Sequence, residues 1–173
     1  LPVIWRLTAI NNVYCIQKAV GNAAGTLLVP VLDCELENNW GGLSLGNWQY
    51  GERVDVITLD SLELSECHFL KIDAEGMELQ VLQGAADLIA RLHPILYVEN
   101  DRKDKSAELI SYIDSLGYEL YWHRPPLYNP DNYSGNKKNV FGSIVSINML
   151  CVHKSITSKI TNLQKINVTA GIN

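Results

Sequence analysis

The sequence predicts an α/β protein whose chemistry sits at the ends of parallel strands, and two stretches carry that prediction. Phe69-Leu70-Lys71-Ile72 is a short apolar run ending in Asp73-Ala74-Glu75-Gly76, after which Met77, Val81, Ala85, Leu88 and Ile89 recur at helical spacing. Ile95 to Val98 repeats the arrangement: it ends in Glu99-Asn100-Asp101 and leads to a second helical stripe, Leu109, Ile110, Ile113 and Leu116. Strand, helix, strand, helix in that order builds a sheet with helices packed on it. In such sheets ligands bind outside the carboxyl ends of the parallel strands, so Asp73 and Glu75 fall at the mouth of a cleft. An enzyme is the first reading.

The remaining elements follow in order. Val3, Ile4, Leu7 and Ile10 suit the end of a helix that stops at Asn11-Asn12. Val13 to Val20 reads as a strand, Gly21-Asn22 as a turn, Thr26 to Leu32 as a second strand and Val54 to Thr58 as a third. The stretch from Asp33 to Gly51, rich in Asn, Gly and Trp, is a loop or lid. His93-Pro94 ends the first helix, because proline disfavours helical geometry in the residue before it. Gly117 stops the second, which runs from Ser106 to Leu116. Tyr118 to Trp122 and Ile144 to Val152 are two closing strands, joined by a loop rich in Pro, Asn and Gly. Residues 1–153 form the domain; Lys154 to Asn173 is a tail, either a short extra helix or a frayed end, with the frayed end preferred.

Composition is that of a globular domain: 173 residues, 47% hydrophobic and 19% charged. A net charge of -5 with no basic stripe argues against nucleic acid, whose binding rests on clustered Lys and Arg. No apolar run is long enough to span a bilayer and no signal-like segment opens the chain, so no membrane partner and a cytoplasmic location are expected. Cys15, Cys34, Cys67 and Cys151 are scattered without metal-ligand spacing and read as free thiols, with Cys15 and Cys151 buried in strands.

Lys71-Ile72-Asp73-Ala74-Glu75-Gly76-Met77-Glu78, followed by Val81-Leu82-Gln83-Gly84-Ala85, resembles the signature of the FkbM family of S-adenosylmethionine-dependent methyltransferases. The likeness extends through Lys18-Ala19-Val20-Gly21-Asn22, Asn39-Trp40-Gly41-Gly42-Leu43-Ser44-Leu45, Val56-Ile57-Thr58-Leu59-Asp60-Ser61-Leu62 and Pro94-Ile95-Leu96-Tyr97-Val98-Glu99-Asn100, over roughly residues 11 to 152. The resemblance implies a Rossmann-like class I methyltransferase sheet, mostly parallel, closed by an antiparallel hairpin. It also implies that the family's first two strands, with the turn and acid that hold the cofactor, are missing here, leaving the carboxyl-terminal part of the domain. By the same resemblance the activity would be O-methylation of a small-molecule, glycan or natural-product hydroxyl, with S-adenosylmethionine as cofactor.

Methyl transfer from a sulfonium is an in-line displacement that needs positioned reactants and often a proton acceptor. Asp73 and Glu75 are placed for that work, although Glu75 also suits a cap for the helix that follows; Glu78 reads as a capping or solvated residue. His123 ends a strand, and the imidazole of a histidine suits proton transfer near neutral pH in general, so it is a candidate general base, with a surface or packing residue as the alternative. Asp73, Glu99 and Asn100 are similar in arrangement to the metal ligands of catechol-type O-methyltransferases and suit Mg²⁺; a substrate contact or loop cap fits Glu99 and Asn100 equally. Trp40, Gly41, Gly42, Trp48 and Tyr50 form either an acceptor-covering loop or a structural hairpin. Asn129, Asp131, Asn132 and Asn139 either line the acceptor or serve turns. Two other readings compete: a catalytically silent binding module, and a different metal-assisted α/β enzyme.

Overall fold

A computed structural model of the chain describes residues 12–33, 35, 42–43, 48–156 and 160–168. Along them run β1 (Ala19–Val20), β2 (Gly25–Val29), β3 (Glu52–Ile57), one 3₁₀ turn (Asp60–Leu62), β4 (Phe69–Ile72), α1 (Glu78–Gln83), α2 (Ala86–Leu92), β5 (Ile95–Glu99), α3 (Lys103–Ser115), β6 (Tyr118–His123), β7 (Asn148–His153) and β8 (Gln164–Lys165). The segment expected to end a helix at Asn11 lies outside the described residues, as do Trp40 and Gly41.

The strands form two sheets, ordered β1-β3-β2 and β4-β5-β7-β6-β8. Only β1–β3 and β4–β5 pair in parallel. The β2–β3, β5–β7, β6–β7 and β6–β8 pairs are antiparallel. The expectation of a mostly parallel sheet is therefore corrected: both sheets are mixed. The physical reason is the β6–β7 hairpin, which folds back so that β7 inserts beside β5 and turns the ladder antiparallel from there on.

Boundaries also differ from expectation: β2 stops at Val29 and not Leu32, α3 starts at Lys103 and not Ser106, and β7 starts at Asn148 and not Ile144. The first strand shrinks to Ala19–Val20, with Tyr14 and Ile16 exposed: an alternating pattern makes no strand without a partner to pair with. The helix expected to run from Met77 through Ile89 is two helices, α1 and α2, separated at Gly84-Ala85. The tail does not simply fray. Gln164 and Lys165 pair with Trp122 and Tyr121, and Ile166 is buried in the core.

All three helices feed one core. Ile72, Leu96, Val98, Leu120, Met149 and Cys151 present one face of the large sheet to Val81, Leu82, Leu88, Ile89, Leu109, Ile110 and Ile113. Each such side chain contributes about 1.5–3 kcal/mol on burial. Tyr118 is fully buried among them and donates its hydroxyl to the Pro94 carbonyl at 2.9 Å. Cys151 belongs to this core as expected, whereas Cys15 is exposed.

The two sheets meet at the junction between α1 and α2. The Gly21 carbonyl lies so close to Gly84 that a β-carbon there would sit 2.0 Å from it. Asp60 adds a second tie: its backbone N–H donates to the Gly84 carbonyl, and its carboxylate accepts from the N–H groups of Asp87 and Leu88, 3.2 and 2.8 Å away. Those donors belong to the first turn of α2, where no helical partner exists, so Asp60 caps that helix from a distance.

Candidate active site

The parallel pair β4–β5 carries Asp73 and Glu99 to the same sheet end, as the strand pattern predicts. One carboxylate oxygen from each of Asp73, Glu75 and Glu99 lies within 4.8 Å of the others. Three acids so close repel one another, and two basic side chains offset that repulsion. The Lys71 ammonium donates to Asp73, and Arg102 Nη2 donates to Glu75 Oε2 at 2.8 Å.

The loop that presents Glu75 is built by Glu78. Its Oε1 accepts from the N–H groups of Ala74 and Gly76 at 3.1 and 2.9 Å, and its side chain is only 5% exposed. Glu78 is thus a buried scaffold residue of this loop, where a solvated or capping role was expected. Lys105 adds a bond to the Gly76 carbonyl at 2.7 Å. Under these restraints Glu75 sits in the left-handed region at φ 49°, a conformation that costs of order 1–3 kcal/mol and persists where surroundings impose it. Glu75 spends its carboxylate on Arg102 and not on capping α1. Glu78→Ala should strand both loop N–H groups, at about 1–3 kcal/mol for each buried donor left unpaired. Glu78→Gln keeps an accepting oxygen, so in urea titrations its midpoint should lie much closer to that of the parent; equal losses would remove Glu78 from this role.

The electrostatics separate the acids. The Lys71 hydrogen bond holds Asp73 below the usual carboxylate range. Burial, then the charges of Asp73 and Asp101, push Glu99 up to about 7. Two carboxylates whose surroundings drive them apart in this way are the pattern of an acid–base site. Glu99 Oε2 and Asn100 Oδ1 are buried and have no hydrogen-bond partner among the described residues. Asn100 spends its amide Nδ2 on Met149 Sδ at 3.2 Å. These two oxygens fit a group that brings donors or positive charge, while Arg102 Nε, also buried without a hydrogen-bond partner among the described residues, lies 3.3 Å from the Asp101 carboxylate.

His123 lies at the same sheet end. Register places Glu99 opposite Asn148 and Asn148 opposite His123, so the three side chains share a face across β5, β7 and β6. Asn148 is buried and donates to Ser146 Oγ at 2.7 Å. Tyr97, two residues before Glu99, joins His123 Nδ1 through its hydroxyl at 2.7 Å. Sequence reading missed Tyr97 and Asn148; period-2 counting back from Glu99 would have found Tyr97, but Asn148 needs the register. His93 and His153, at the other end, stack on each other at 3.7 Å.

Asn129, Asn132, Asn136 and Asn139 accept backbone N–H groups through their side-chain oxygens, so turn chemistry accounts for them. Trp48 and Tyr50 line a shallow hollow beside Pro30 and Val31 in the β2–β3 connection.

A family model of the methyltransferase FkbM domain matches residues 6–120. The chain belongs to the FkbM methyltransferase family. The match runs from before β1 into β6 and so includes Asp73, Glu75, Glu99 and Asn100. No curated protein and no solved structure matched the chain. As an FkbM methyltransferase it is an enzyme of methyl transfer, and the family's cofactor is S-adenosylmethionine. Acceptor oxygens gathered at the end of β4 and β5 fit a donor whose reactive sulfur is positive. No helix among the described residues is long and apolar enough to cross a membrane.

Proposed function

We propose that this FkbM methyltransferase methylates a hydroxyl oxygen of a small molecule, a glycan or a natural product, with Glu99 as the proton acceptor. One observation carries the reading: a carboxyl pushed up to about 7, with one oxygen buried and unpartnered, stands beside an ionised Asp73. A base that titrates near the working pH combines the correct protonation state with useful driving force. S-adenosylmethionine, when bound, supplies a methyl group whose bond to sulfur breaks with the electron pair remaining on sulfur. Glu99 takes the proton from the acceptor O–H, so the oxygen bonds to the methyl carbon without a build-up of positive charge. Asp73, kept ionised by Lys71, keeps negative charge beside the reacting centre. Asn100 Oδ1 offers a further buried acceptor for an acceptor hydroxyl.

Mg²⁺ is the alternative use of Asp73, Glu99 and Asn100. Lys71 and Arg102 already neutralise Asp73 and Glu75, so we read the cluster as balanced by the protein's own cations. Methyl transfer should then survive exhaustive chelation within about two-fold, whereas a metal that oriented the acceptor would be worth several kcal/mol. Calorimetric titration with S-adenosylmethionine, followed by transfer of a labelled methyl group to a panel of sugars and hydroxylated small molecules, tests the main reading. Binding with label recovered on oxygen supports it; label recovered on nitrogen or carbon alone would overturn the O-methylation.

A further inference from the structure

His123 is a candidate base from its place at a strand end; its hydrogen bond assigns it otherwise. The Tyr97 hydroxyl lies 2.7 Å from His123 Nδ1, and the rings meet edge to face with centroids 5.7 Å apart. Phe69 stacks on the other side of Tyr97 at 6.4 Å and restricts the phenol ring. A phenol O–H needs an acceptor. Lys71 stands opposite Tyr97 in the β4–β5 ladder, but an ammonium group only donates. Among the described residues, Nδ1 is the one hydrogen-bond partner of the hydroxyl, and a bare Nδ1 can accept from it. Burial also holds the Tyr97 phenol above its usual pKa, so it keeps its proton. A neutral imidazole that accepts at Nδ1 carries its hydrogen on Nε2.

We propose that Tyr97 is a positioning residue that locks His123 as the Nε2–H tautomer, so that His123 meets the acceptor substrate as a hydrogen-bond donor and leaves proton removal to Glu99. The proposal rests on the methyl-transfer reading and sharpens its substrate class. Glu99 and His123 are two strands apart on one face, about 10 Å between backbones. An acceptor that uses both carries two oxygens: the hydroxyl that becomes methylated, and a second oxygen whose lone pair takes the Nε2–H. Hydroxylated rings and hydroxy acids meet that requirement; an isolated alcohol does not.

The tautomer can be read directly on the ¹⁵N-labelled chain, without donor or acceptor, from long-range proton–nitrogen correlations at pH 8, with His123→Gln used to assign the resonance. The expected result is a protonated Nε2 and a bare Nδ1 in the parent. In Tyr97→Phe the ratio should shift about five-fold towards the Nδ1–H form, the equivalent of one net hydrogen bond. A proton on Nδ1 in the parent overturns the proposal, as does a ratio that Tyr97→Phe leaves unmoved. If Tyr97→Phe fails to fold, the parent spectrum alone still decides the tautomer. In the transfer assay both variants should lower kcat/KM, His123→Gln, which retains an N–H donor, by less than about ten-fold and His123→Glu, which only accepts, by far more. Equal losses would overturn the donor role. Because the tautomer is measured without methyl transfer, its failure is distinct from failure of the functional reading, which the titration with S-adenosylmethionine reports.

Discussion

Replacing Glu99 by glutamine should lower methyl transfer by about 10²–10⁴-fold, the usual contribution of a positioned general base, and should at the same time stabilise the folded chain above pH 7. The two effects have one cause. Burial and neighbouring acids raise Glu99 from the ordinary 4.5 to about 7, so the folded chain holds this proton more tightly than the unfolded chain does. Stability from this group is full below pH 4.5 and declines as pH rises through 7, beyond which the buried charge is an undiminished penalty. Glutamine never ionises. The melting temperatures of parent and Glu99→Gln should therefore agree near pH 4, diverge between pH 4.5 and 7, and stay a constant distance apart above that. Asp73 moves in the opposite direction, because the Lys71 hydrogen bond holds it below the ordinary carboxylate range. Parallel melting curves from pH 4 to 8 would mean that Glu99 is not held in this state, and unimpaired transfer would remove it as the base.

Gly84→Ala should be among the most damaging small changes in the scaffold. The added carbon would arrive 2.0 Å from the Gly21 carbonyl, and a backbone oxygen has no rotamer by which to withdraw. Overpacking of this kind costs about 1–3 kcal/mol, and here it also forces the β1 turn away from the helices. Gly25→Ala is the control, since a β-carbon there meets nothing within 4 Å. The denaturant midpoint should fall for Gly84→Ala by several times the change seen for Gly25→Ala. Similar changes would show that the close approach can relax.

These two residues mark what was legible in the sequence. Glu99 was visible because strand ends are: an apolar run followed by acids places side chains without reference to the rest of the chain. Its chemistry was less visible, since the shift to about 7 depends first on burial in the fold and then on Asp73 arriving beside it. Gly84 stood inside a recognisable motif, yet its reason lies 63 positions upstream at Gly21, where a second motif ends. Asp60 belongs to a third motif and serves the same junction. Residues that read as one catalytic signature therefore divide into an acidic site and a structural joint. The helix was drawn unbroken because apolar spacing continues across Gly84 and Ala85; only the approach of Gly21 and the Asp60 cap reveal the break. Glu78 was misread since its burial follows from the loop folding back on it, and Asn148 could not be linked to Glu99 without the antiparallel register.

The joint has a dynamic consequence. Among the described residues, the buried apolar side chains lie between Ile72 and Ile166, and from the region of the small sheet only Val20 and Leu59 pack against that cluster. Strands β2 and β3 hold mainly each other and carry several exposed residues. Opening the small sheet exposes little apolar surface, whereas opening β5 or β7 disrupts the whole core. Amide hydrogens of β2 and β3 should thus exchange with deuterium through a local opening, at a free energy well below that of global unfolding, while those of β5 and β7 wait for the entire chain to unfold. The protein has two tiers of protection, with the carboxylates anchored on the slow tier.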